Sequence, residues 1–200
     1  MSEPLKIAIA GLGTVGAGLI TLLNANADAI TARCGRELRI TAVSARDRTK
    51  DRGIDLSGLE WYDDAAKLAV EADADIIVEM IGGSEGIALD TCMNALKAGR
   101  SVVTANKALV AHHGMEMARI AEENNVSVLF EAAVAGGIPI IKSLREGLAG
   151  NSVSRISGIL NGTSNYIMTR MRNESLDFES VLKDAQDLGY AEVDPSFDID

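Results

Sequence analysis

The sequence has few cysteines, a deficit of basic residues and no long hydrophobic run. Its two cysteines, Cys34 and Cys92, lie far apart, so neither a metal-binding spacing nor a disulfide framework is expected. We expect both to be reduced thiols in a cytoplasmic protein. The 19 Lys and Arg against 29 Asp and Glu give a formal net charge of −10. That balance argues against a nucleic-acid partner, whose phosphates need a basic surface.

Targeting and membrane-spanning segments are not expected either. The first apolar run, residues 7–10, follows no basic region and is too short for a signal peptide. No stretch approaches the ~18 consecutive apolar residues of a membrane span. Hydrophobic residues make up 47% and charged residues 24% of the 200 residues. These proportions are typical of a soluble globular protein with one large domain, or one domain plus part of a second.

Apolar runs alternate with amphipathic segments along the first 130 residues. Strands are predicted at residues 6–10, 38–44, 75–80, 101–104 and 126–130, and helices at 14–27, 85–98 and 109–124. Strands that are apolar throughout are buried on both faces, as in parallel sheets. The pattern therefore predicts an α/β fold, a Rossmann-like doubly wound parallel sheet covered by helices on both faces.

The amino-acid composition changes after Phe130, where the segment 131–139 consists largely of small residues and is rich in glycine. Beyond them we predict helices at 140–149, 164–172 and 178–188, a strand at 152–160 and a turn at 161–163. We therefore expect a Rossmann domain over residues 1–135 and the start of a second, α+β domain over residues 136–200.

Gly11, Gly13 and Gly16 form a Gly-x-Gly-x-x-Gly motif between the first predicted strand and helix. Gly11 permits a tight turn, Gly13 lets the backbone approach a pyrophosphate, and Gly16 lets the helix pack on the strand. Thr14 and Val15 open the helix, whose free amides face the phosphates. The motif predicts a nicotinamide-dinucleotide site; the alternative is a plain glycine turn.

Residues after the second strand bear on the choice of dinucleotide. Arg46, Arg48 and Lys50 form a basic cluster in an otherwise acidic protein. The cluster favours NADP, because arginine binds the 2′-phosphate through two parallel hydrogen bonds. Asp47 keeps NAD open, since an acid here can accept a hydrogen bond from the ribose 2′-hydroxyl. A solvated loop of mixed charge is the remaining alternative.

Two further segments follow the third and fourth strands. Ile81 and Gly82 come after the third strand, and Thr104 and Lys107 come after the fourth. Ligands of open parallel sheets bind beyond the carboxyl ends of the strands, so both segments are predicted to line the same crevice. Lys107 begins a helix, where the dipole disfavours a cation, and is therefore a candidate for contact with nicotinamide or substrate. A solvent-exposed lysine is the alternative.

Five motifs in fixed order carry a resemblance to a known family. They are Gly-Leu-Gly-Thr-Val-Gly at 11–16, Thr-Ala-Asn-Lys-Ala-Leu-Val-Ala at 104–111, Glu-Ala-Ala-Val-Ala-Gly-Gly-Ile-Pro-Ile-Ile at 131–141, Gly-Ile-Leu-Asn-Gly-Thr-Ser-Asn-Tyr-Ile at 158–167 and Gly-Tyr-Ala-Glu-Val-Asp-Pro at 189–195. Together they closely resemble the homoserine dehydrogenases over essentially the whole chain. The resemblance implies NAD(P)H-dependent interconversion of L-aspartate 4-semialdehyde and L-homoserine, in threonine and methionine biosynthesis.

The resemblance also implies roles for particular residues. Lys107 would lie beside the nicotinamide and the small-molecule substrate as a catalytic residue. Gly189 would contact the cofactor, and Glu192 would be catalytic and would bind the substrate ammonium group through a charge-assisted hydrogen bond.

A monovalent cation, usually sodium, is implied as well. Its ligands would be Glu131, Val134, Gly136 and Ile138, which offer one carboxylate and backbone carbonyls. From the residues alone, this segment is a glycine-rich hinge between domains, which a cation could stiffen.

The family pattern continues, beyond the position of Asp200, into a Gly-x-Asp-Ala-x-x-Lys segment that supplies an acid and a lysine. We expect a truncated piece of a longer enzyme that binds cofactor but turns over slowly or not at all, because general acid–base help is typically worth ~10²–10⁴-fold. Residues 136–200 would be part of the substrate and dimerisation domain, and the full-length enzyme a homodimer or homotetramer.

Two other functions remain open. An enzyme with a cysteine nucleophile needs an accessible thiol near a base or a helix N-terminus, whereas Cys92 lies mid-helix and Cys34 in a surface connection. A non-catalytic dinucleotide sensor would use the same fold for binding alone. Such a sensor would not need Lys107 and Glu192 to converge on one crevice.

Overall fold

The computed structural model describes residues 3–159, 161–191 and 195. By their internal contacts, the residues form two compact units, Met1–Ala149 and Gly150–Asp200. No helix among the described residues has the length and apolarity needed to cross a membrane.

In the described residues of the first unit, six parallel strands form one sheet in the order β3-β2-β1-β4-β5-β6. The strands are β1 (Leu5–Ala10), β2 (Leu38–Ser44), β3 (Glu60–Tyr62), β4 (Ile76–Glu79), β5 (Ser101–Thr104) and β6 (Val128–Leu129). The strand order reverses between β1 and β4, where Ala10 pairs with Glu79. The predicted Rossmann-like sheet is confirmed, and its switch point, where such folds bind ligands, lies at the carboxyl ends of β1 and β4.

Helices cover both faces of this sheet. They are α1 (Thr14–Ala25), α2 (Ala27–Cys34), α3 (Ala65–Glu71), α4 (Ile87–Lys97), α5 (Lys107–Glu123), α6 (Glu131–Val134) and α7 (Ile140–Lys142), the last followed by a π-helical turn, Ser143–Gly147. The predicted helix over 14–27 is wrong beyond residue 25, because the chain leaves the helix at Asn26 and starts α2. The predicted helix over 140–149 is likewise divided between α7 and the π-helical turn.

The two faces of the sheet have different cores because side chains alternate along each strand. Ala8 and Ala10 of β1 face one way, in a cluster with Leu68 of α3, Leu96 of α4 and Met117 of α5. The small alanine side chains leave room for these helices to approach the strands. Residues Ile7, Ile9, Val43 and Val78 face the other way and pack with Ile20 of α1.

The first compact unit extends past the glycine-rich segment that follows β6. Helix α6 contacts α5 and β5, and α7 in turn contacts α6. The Glu131 carboxylate joins these turns, since its two oxygens accept hydrogen bonds from Ile141 N–H at 3.0 Å and Lys142 N–H at 3.1 Å. The compact unit therefore ends at Ala149, while the predicted domain boundary at residue 135 stays a prediction.

The described part of the second unit is centred on two helices, α8 (Gly162–Glu174) and α9 (Phe178–Asp187), which pack around Ile167, Val181 and Ala185. The strand predicted over 152–160 is wrong for residues 152–159, which have no regular secondary structure. A strand requires hydrogen bonds to a neighbouring strand. No strand lies beside this segment among the described residues of the unit, although its apolar residues fit the strand pattern.

Candidate functional site

The glycine loop between β1 and α1 has the geometry that its motif predicts. Gly11 has a φ of +103°, and a Cβ there would lie 2.5 Å from the carbonyl oxygen of Met80. A Cβ at Gly16 would lie 1.9 Å from the carbonyl oxygen of Gly11, whereas Gly13 has no such neighbour within 4 Å. Gly11 and Gly16 are therefore required by packing, and Gly13 leaves open space above the loop.

The N-terminus of α1 faces this open space without a side-chain cap. Gly13 is the N-cap residue and provides no side-chain hydrogen bond. Thr14 and Val15 follow it, and both are exposed. The first amides of a helix lack intrahelical partners and carry the positive end of the helix dipole, so this terminus is suited to an anion such as a phosphate.

A cavity of about 480 Å³ lies over the glycine loop and extends along the ends of neighbouring strands. It is lined by Gly11, Leu12, Gly13, Ser44, Ala45, Arg46, Asp47, Lys50, Arg52, Asp63, Ala65, Met80, Ile81 and Ile87. The lining joins three of the predicted segments: the glycine loop, the basic cluster after β2 and the start of the loop after β4. Lys107 is not among these lining residues.

Arg52 organises the basic side of the cavity, and sequence reasoning missed it. Its guanidinium donates to the carbonyl oxygens of Leu12 at 3.0 Å, Lys50 at 2.8 Å and Asp47 at 2.6 Å. The same group lies 5.8 Å from the ring centroid of Trp61. Arg52 therefore ties the glycine loop to the loop after β2. Its position two residues beyond Lys50, in the same basic cluster, is the signal that could have found it.

Asp47 is held within its own loop. Its Oδ1 accepts hydrogen bonds from Thr49 N–H at 2.8 Å and from Thr49 Oγ1 at 2.7 Å. These bonds stabilise the charged carboxylate and lower the pKa of Asp47. One carboxylate oxygen is thus already occupied, while Arg46 and Lys50 line the cavity beside it.

The segments after β4 and β5 lie at one edge of the sheet, because Glu79 and Thr104, the last residues of these strands, pair with each other. Ile81 and Gly82 form the turn after β4, and Gly82 has a φ of +86°. Lys107 is the first residue of α5 and its side chain is exposed. The sheet therefore brings the predicted residues after β4 and β5 to the edge that also carries the glycine loop.

The segment predicted to bind a cation contains chemically suitable oxygens. Both Glu131 carboxylate oxygens accept a backbone hydrogen bond, and each retains further lone-pair capacity. The carbonyl of Ile138 accepts from Ile140 N–H at 2.8 Å. The loop closed by Glu131 also contains Val134 and Gly136. One carboxylate with backbone carbonyls is a donor set for a hard cation; the described residues contain no cluster of three or more His, Cys, Asp or Glu that could hold a metal ion.

The Gly-Tyr turn of the second unit is held by contacts to α8. Gly189 has a φ of +74°. Thr163 Oγ1 donates to the carbonyl oxygen of Tyr190 at 2.8 Å, and the rings of Tyr166 and Tyr190 meet edge to face at 5.1 Å. Glu192, predicted to bind the substrate ammonium, lies outside the described residues.

Neither cysteine has the environment of a nucleophile. Cys92 is fully buried in α4, and burial, with a further contribution from the charge of Glu79, raises the pKa of its thiol. Cys34 is exposed at the end of α2. A buried thiol with a raised pKa is inert, because the thiolate is the reactive form.

The sheet order, the glycine loop and the uncapped α1 define a Rossmann-type dinucleotide-binding protein. A family model described as "Homoserine dehydrogenase, NAD binding domain" matches residues 11–131, and one described as "Homoserine dehydrogenase" matches residues 139–200. The chain belongs to the homoserine dehydrogenase family.

Individual relatives agree with this assignment. The chain is 50% identical over 198 residues to a homoserine dehydrogenase of Neisseria gonorrhoeae and 44% identical to one of Pseudomonas aeruginosa, covering 99% of this chain and 45% of each relative. The crystal structure of a homoserine dehydrogenase from Thiobacillus denitrificans matches with a TM-score of 0.89 at 48% identity, over 98% of this chain and 45% of that one. A hyperthermophilic archaeal homoserine dehydrogenase in complex with NADPH matches with a TM-score of 0.81 at 29% identity, over 99% of this chain and 65% of that one. The chain thus spans 45% of the length of the two curated relatives from Neisseria gonorrhoeae and Pseudomonas aeruginosa.

Proposed function

We propose that the whole protein is a cytoplasmic homoserine dehydrogenase that interconverts L-aspartate 4-semialdehyde and L-homoserine, and that this chain binds its nicotinamide dinucleotide. The observation that carries the proposal is the cavity over the glycine loop, where the uncapped N-terminus of α1 faces open space. Free helix amides in that position suit a pyrophosphate. The NADPH complex of the archaeal relative supports the same ligand class.

The preferred dinucleotide in this proposal is NADP rather than NAD. Arg46 and Lys50 line the cavity beyond the end of β2, where the 2′-position of the adenosine ribose is expected. Arg52 fixes the same loop, and its side chain lies over Trp61. Asp47, the residue that favours NAD, has one carboxylate oxygen bound to Thr49. A 2′-phosphate would therefore meet positive charge at this end of the cavity.

For the chemical step, the residue roles are inferred from the resemblance to the family, and this chain contains the matching residues. NADPH, when bound, supplies the hydride for reduction of the aldehyde. Lys107, exposed at the start of α5, places a positive charge at the edge of the sheet where nicotinamide and substrate would meet. Glu192, three residues beyond Gly189 in the sequence, would hold the substrate ammonium by a charge-assisted hydrogen bond.

The cation and the assembly are further parts of the proposal. Glu131 and the carbonyls of Val134, Gly136 and Ile138 would hold a monovalent cation such as sodium. The ion would stiffen the segment that the Glu131 carboxylate already closes onto residues 141 and 142. The whole enzyme would be a homodimer or homotetramer.

Cofactor choice is tested on this chain with the Arg46→Ala variant. Trp61, the only tryptophan, lies beside the proposed 2′-phosphate site and reports binding by fluorescence. A hydrogen bond to a charged group contributes roughly 1.5–3 kcal/mol, so NADPH affinity should fall about 10- to 100-fold. NADH affinity should change less than about twofold, since NADH lacks the phosphate.

The matched control is Arg33→Ala, which removes an equal charge at the exposed end of α2. It should leave both affinities unchanged. Equal losses of NADPH and NADH affinity in Arg46→Ala, or a wild-type preference for NADH, would contradict the NADP assignment.

Catalysis is tested in the whole protein with Lys107→Ala and Glu192→Ala. Lys107→Ala should lower turnover by about 10²–10³-fold, the range for loss of a preorganised charge. Glu192→Ala should lower kcat/KM about 10- to 100-fold, the effect of a lost hydrogen bond to a charged group. Both should have a smaller effect on cofactor affinity. Lys97→Ala, at the end of α4, is the control. Unchanged turnover in both variants would contradict the catalytic roles of Lys107 and Glu192, whereas a whole protein that binds NADPH without turnover would favour the non-catalytic sensor.

A further inference from the structure

We propose that Glu79 is a positioning residue for the nicotinamide half of the dinucleotide. Its buried carboxylate fixes the two loops that follow β4 and β5, and these loops form the wall of the crevice on that side. The inference rests on the proposed binding of a nicotinamide dinucleotide. It assigns a role in this half of the site to the last residue of β4.

Glu79 is a fully buried acid at the carboxyl end of β4, an inner strand of the sheet. An unpaired carboxylate in such a place is strongly unfavourable, so its hydrogen bonds have to be made inside the protein. Its Oε1 accepts from Ile81 N–H at 2.6 Å and from Gly82 N–H at 3.0 Å. Its Oε2 accepts from the Thr104 hydroxyl at 2.5 Å. One side chain therefore holds the turn after β4 and the end of β5 together.

A second layer of hydrogen bonds extends this arrangement to α5. The Thr104 hydroxyl oxygen accepts from Asn106 N–H at 3.0 Å. The Asn106 side chain donates to the carbonyl oxygen of Gly83 at 2.6 Å and accepts from Leu109 N–H at 3.1 Å, which caps α5. The orientation of the first turn of α5, where Lys107 lies, thus depends on the same network.

The position of the Glu79 hydrogen-bond network in the sheet indicates which half of the dinucleotide lies beside it. In this fold the adenosine ribose lies at the end of β2 and the pyrophosphate at the glycine loop after β1. The rest of the dinucleotide crosses the switch point to the ends of β4 and β5. Glu79, Ile81 and Thr104 lie at those two ends. Loss of the Glu79 contacts should therefore disturb the nicotinamide half and leave the adenosine half in place.

The experiment compares NADPH with 2′-phospho-ADP-ribose, which lacks the nicotinamide, by titration calorimetry on this chain. In Glu79→Gln the shape is kept, but the amide NH₂ replaces the oxygen that accepts from Thr104. NADPH affinity should fall about tenfold, which corresponds to about 1.4 kcal/mol. The affinity for 2′-phospho-ADP-ribose should stay within about twofold, because its contacts lie on the β1 and β2 side.

Three further variants test the positioning role. Thr104→Val removes the donor to the same carboxylate and should reproduce the loss for NADPH alone, whereas Thr104→Ser keeps the hydroxyl and should restore NADPH affinity. Thr91→Val removes another fully buried hydroxyl, which donates to the Ile87 carbonyl within α4. It should leave the ratio of the two affinities unchanged, because this hydroxyl is bonded within α4.

Each outcome bears on a stated claim. A wild-type chain that binds neither ligand overturns the proposed function itself. The positioning role is overturned if the wild-type chain binds both ligands and the Glu79→Gln and Thr104→Val variants lose affinity for both ligands equally, or for neither. If Glu79→Gln does not fold, the Thr104→Val and Thr104→Ser pair decides the question on its own.

Discussion

Replacing Gly16 with alanine tests how closely α1 packs against the loop that precedes it. The added Cβ would lie 1.9 Å from the carbonyl oxygen of Gly11, and real Cβ atoms essentially never come within 3.0 Å of a heavy atom outside their own residue and its chain neighbours. The helix and the loop would have to separate by roughly 1 Å, which a close-packed interior resists. The obstructing atom belongs to the backbone, so no side-chain rotation can relieve the contact.

The loop itself has little freedom to move. Gly11 N–H donates to the carbonyl oxygen of Ser44 at 2.8 Å, and a Cβ at Gly11 would itself meet Met80. Overpacking typically costs 1–3 kcal/mol, and we expect Gly16→Ala to lie at the upper end, about 3 kcal/mol. For a chain of this size that corresponds to a decrease in melting temperature of about 6–12 °C.

Gly18 provides the matched control within the same helix. It is exposed, and no heavy atom lies within 4 Å of the position of its Cβ. Gly18→Ala should therefore stabilise α1 by about 0.5–1 kcal/mol, because alanine loses less backbone entropy on folding. The same substitution two positions apart should thus shift the melting temperature in opposite directions.

Thermal unfolding followed by circular dichroism measures both shifts. Alanine occurs at the Gly16 position in other dinucleotide-binding proteins, so the expected loss depends on the specific approach of Gly16 to Gly11 in this chain. A Gly16→Ala variant that melts with the wild type, or a Gly18→Ala variant that loses as much stability, would refute this account of the loop.

Two further predictions concern the loop and the second unit. Gly13→Ala should leave the melting temperature unchanged, because its Cβ would meet no heavy atom within 4 Å. The variant should weaken NADPH binding at least about tenfold in calorimetry, because the pyrophosphate needs the space above Gly13. Normal binding would mean that the pyrophosphate lies elsewhere. Asp177, the N-cap of α9, accepts from Ser180 N–H and Oγ at 3.0 and 2.7 Å, and these bonds lower its pKa from the ordinary 3.8. The contribution of the Asp177 carboxylate to stability is therefore present above pH 3.8 and is lost as the pH falls through the lower, folded-state pKa. In Asp177→Asn, the loss of helical dichroism that titration of this carboxylate causes in acid should be absent. An acid profile identical to that of the wild type would contradict the assignment.

Much of the fold was predictable because its signals are local. The strands now seen as β1, β2, β4 and β5 are short apolar runs, and their burial in a parallel sheet follows from that pattern. The three-residue edge strand β3 was not predicted, since it contains only Glu60, Trp61 and Tyr62 and is defined by its pairing with β2. The strand predicted over 152–160 is wrong over residues 152–159 for the converse reason, because an apolar pattern without a paired neighbour does not make a strand.

The candidate site divides in the same way. The glycine loop was predictable because its three glycines lie within six residues and each has a backbone function. Arg52 and Glu79 were not, because their partners are distant along the chain. Arg52 binds the carbonyl of Leu12, 40 residues away, and Glu79 accepts from Thr104, 25 residues away.

The Rossmann-like sheet, the dinucleotide motif and the family resemblance, which five ordered motifs carry, could all be inferred without the structure. The sheet and the motif follow from periodicity and spacing, which depend on neighbours along the chain, whereas the resemblance rests on the residues of the five motifs. Only the three-dimensional structure shows that Arg52 braces the glycine loop and that a buried Glu79 joins two loops of the crevice. Those contacts form only when strands distant in sequence lie side by side, so they follow from the order of the strands in the sheet and not from any local pattern.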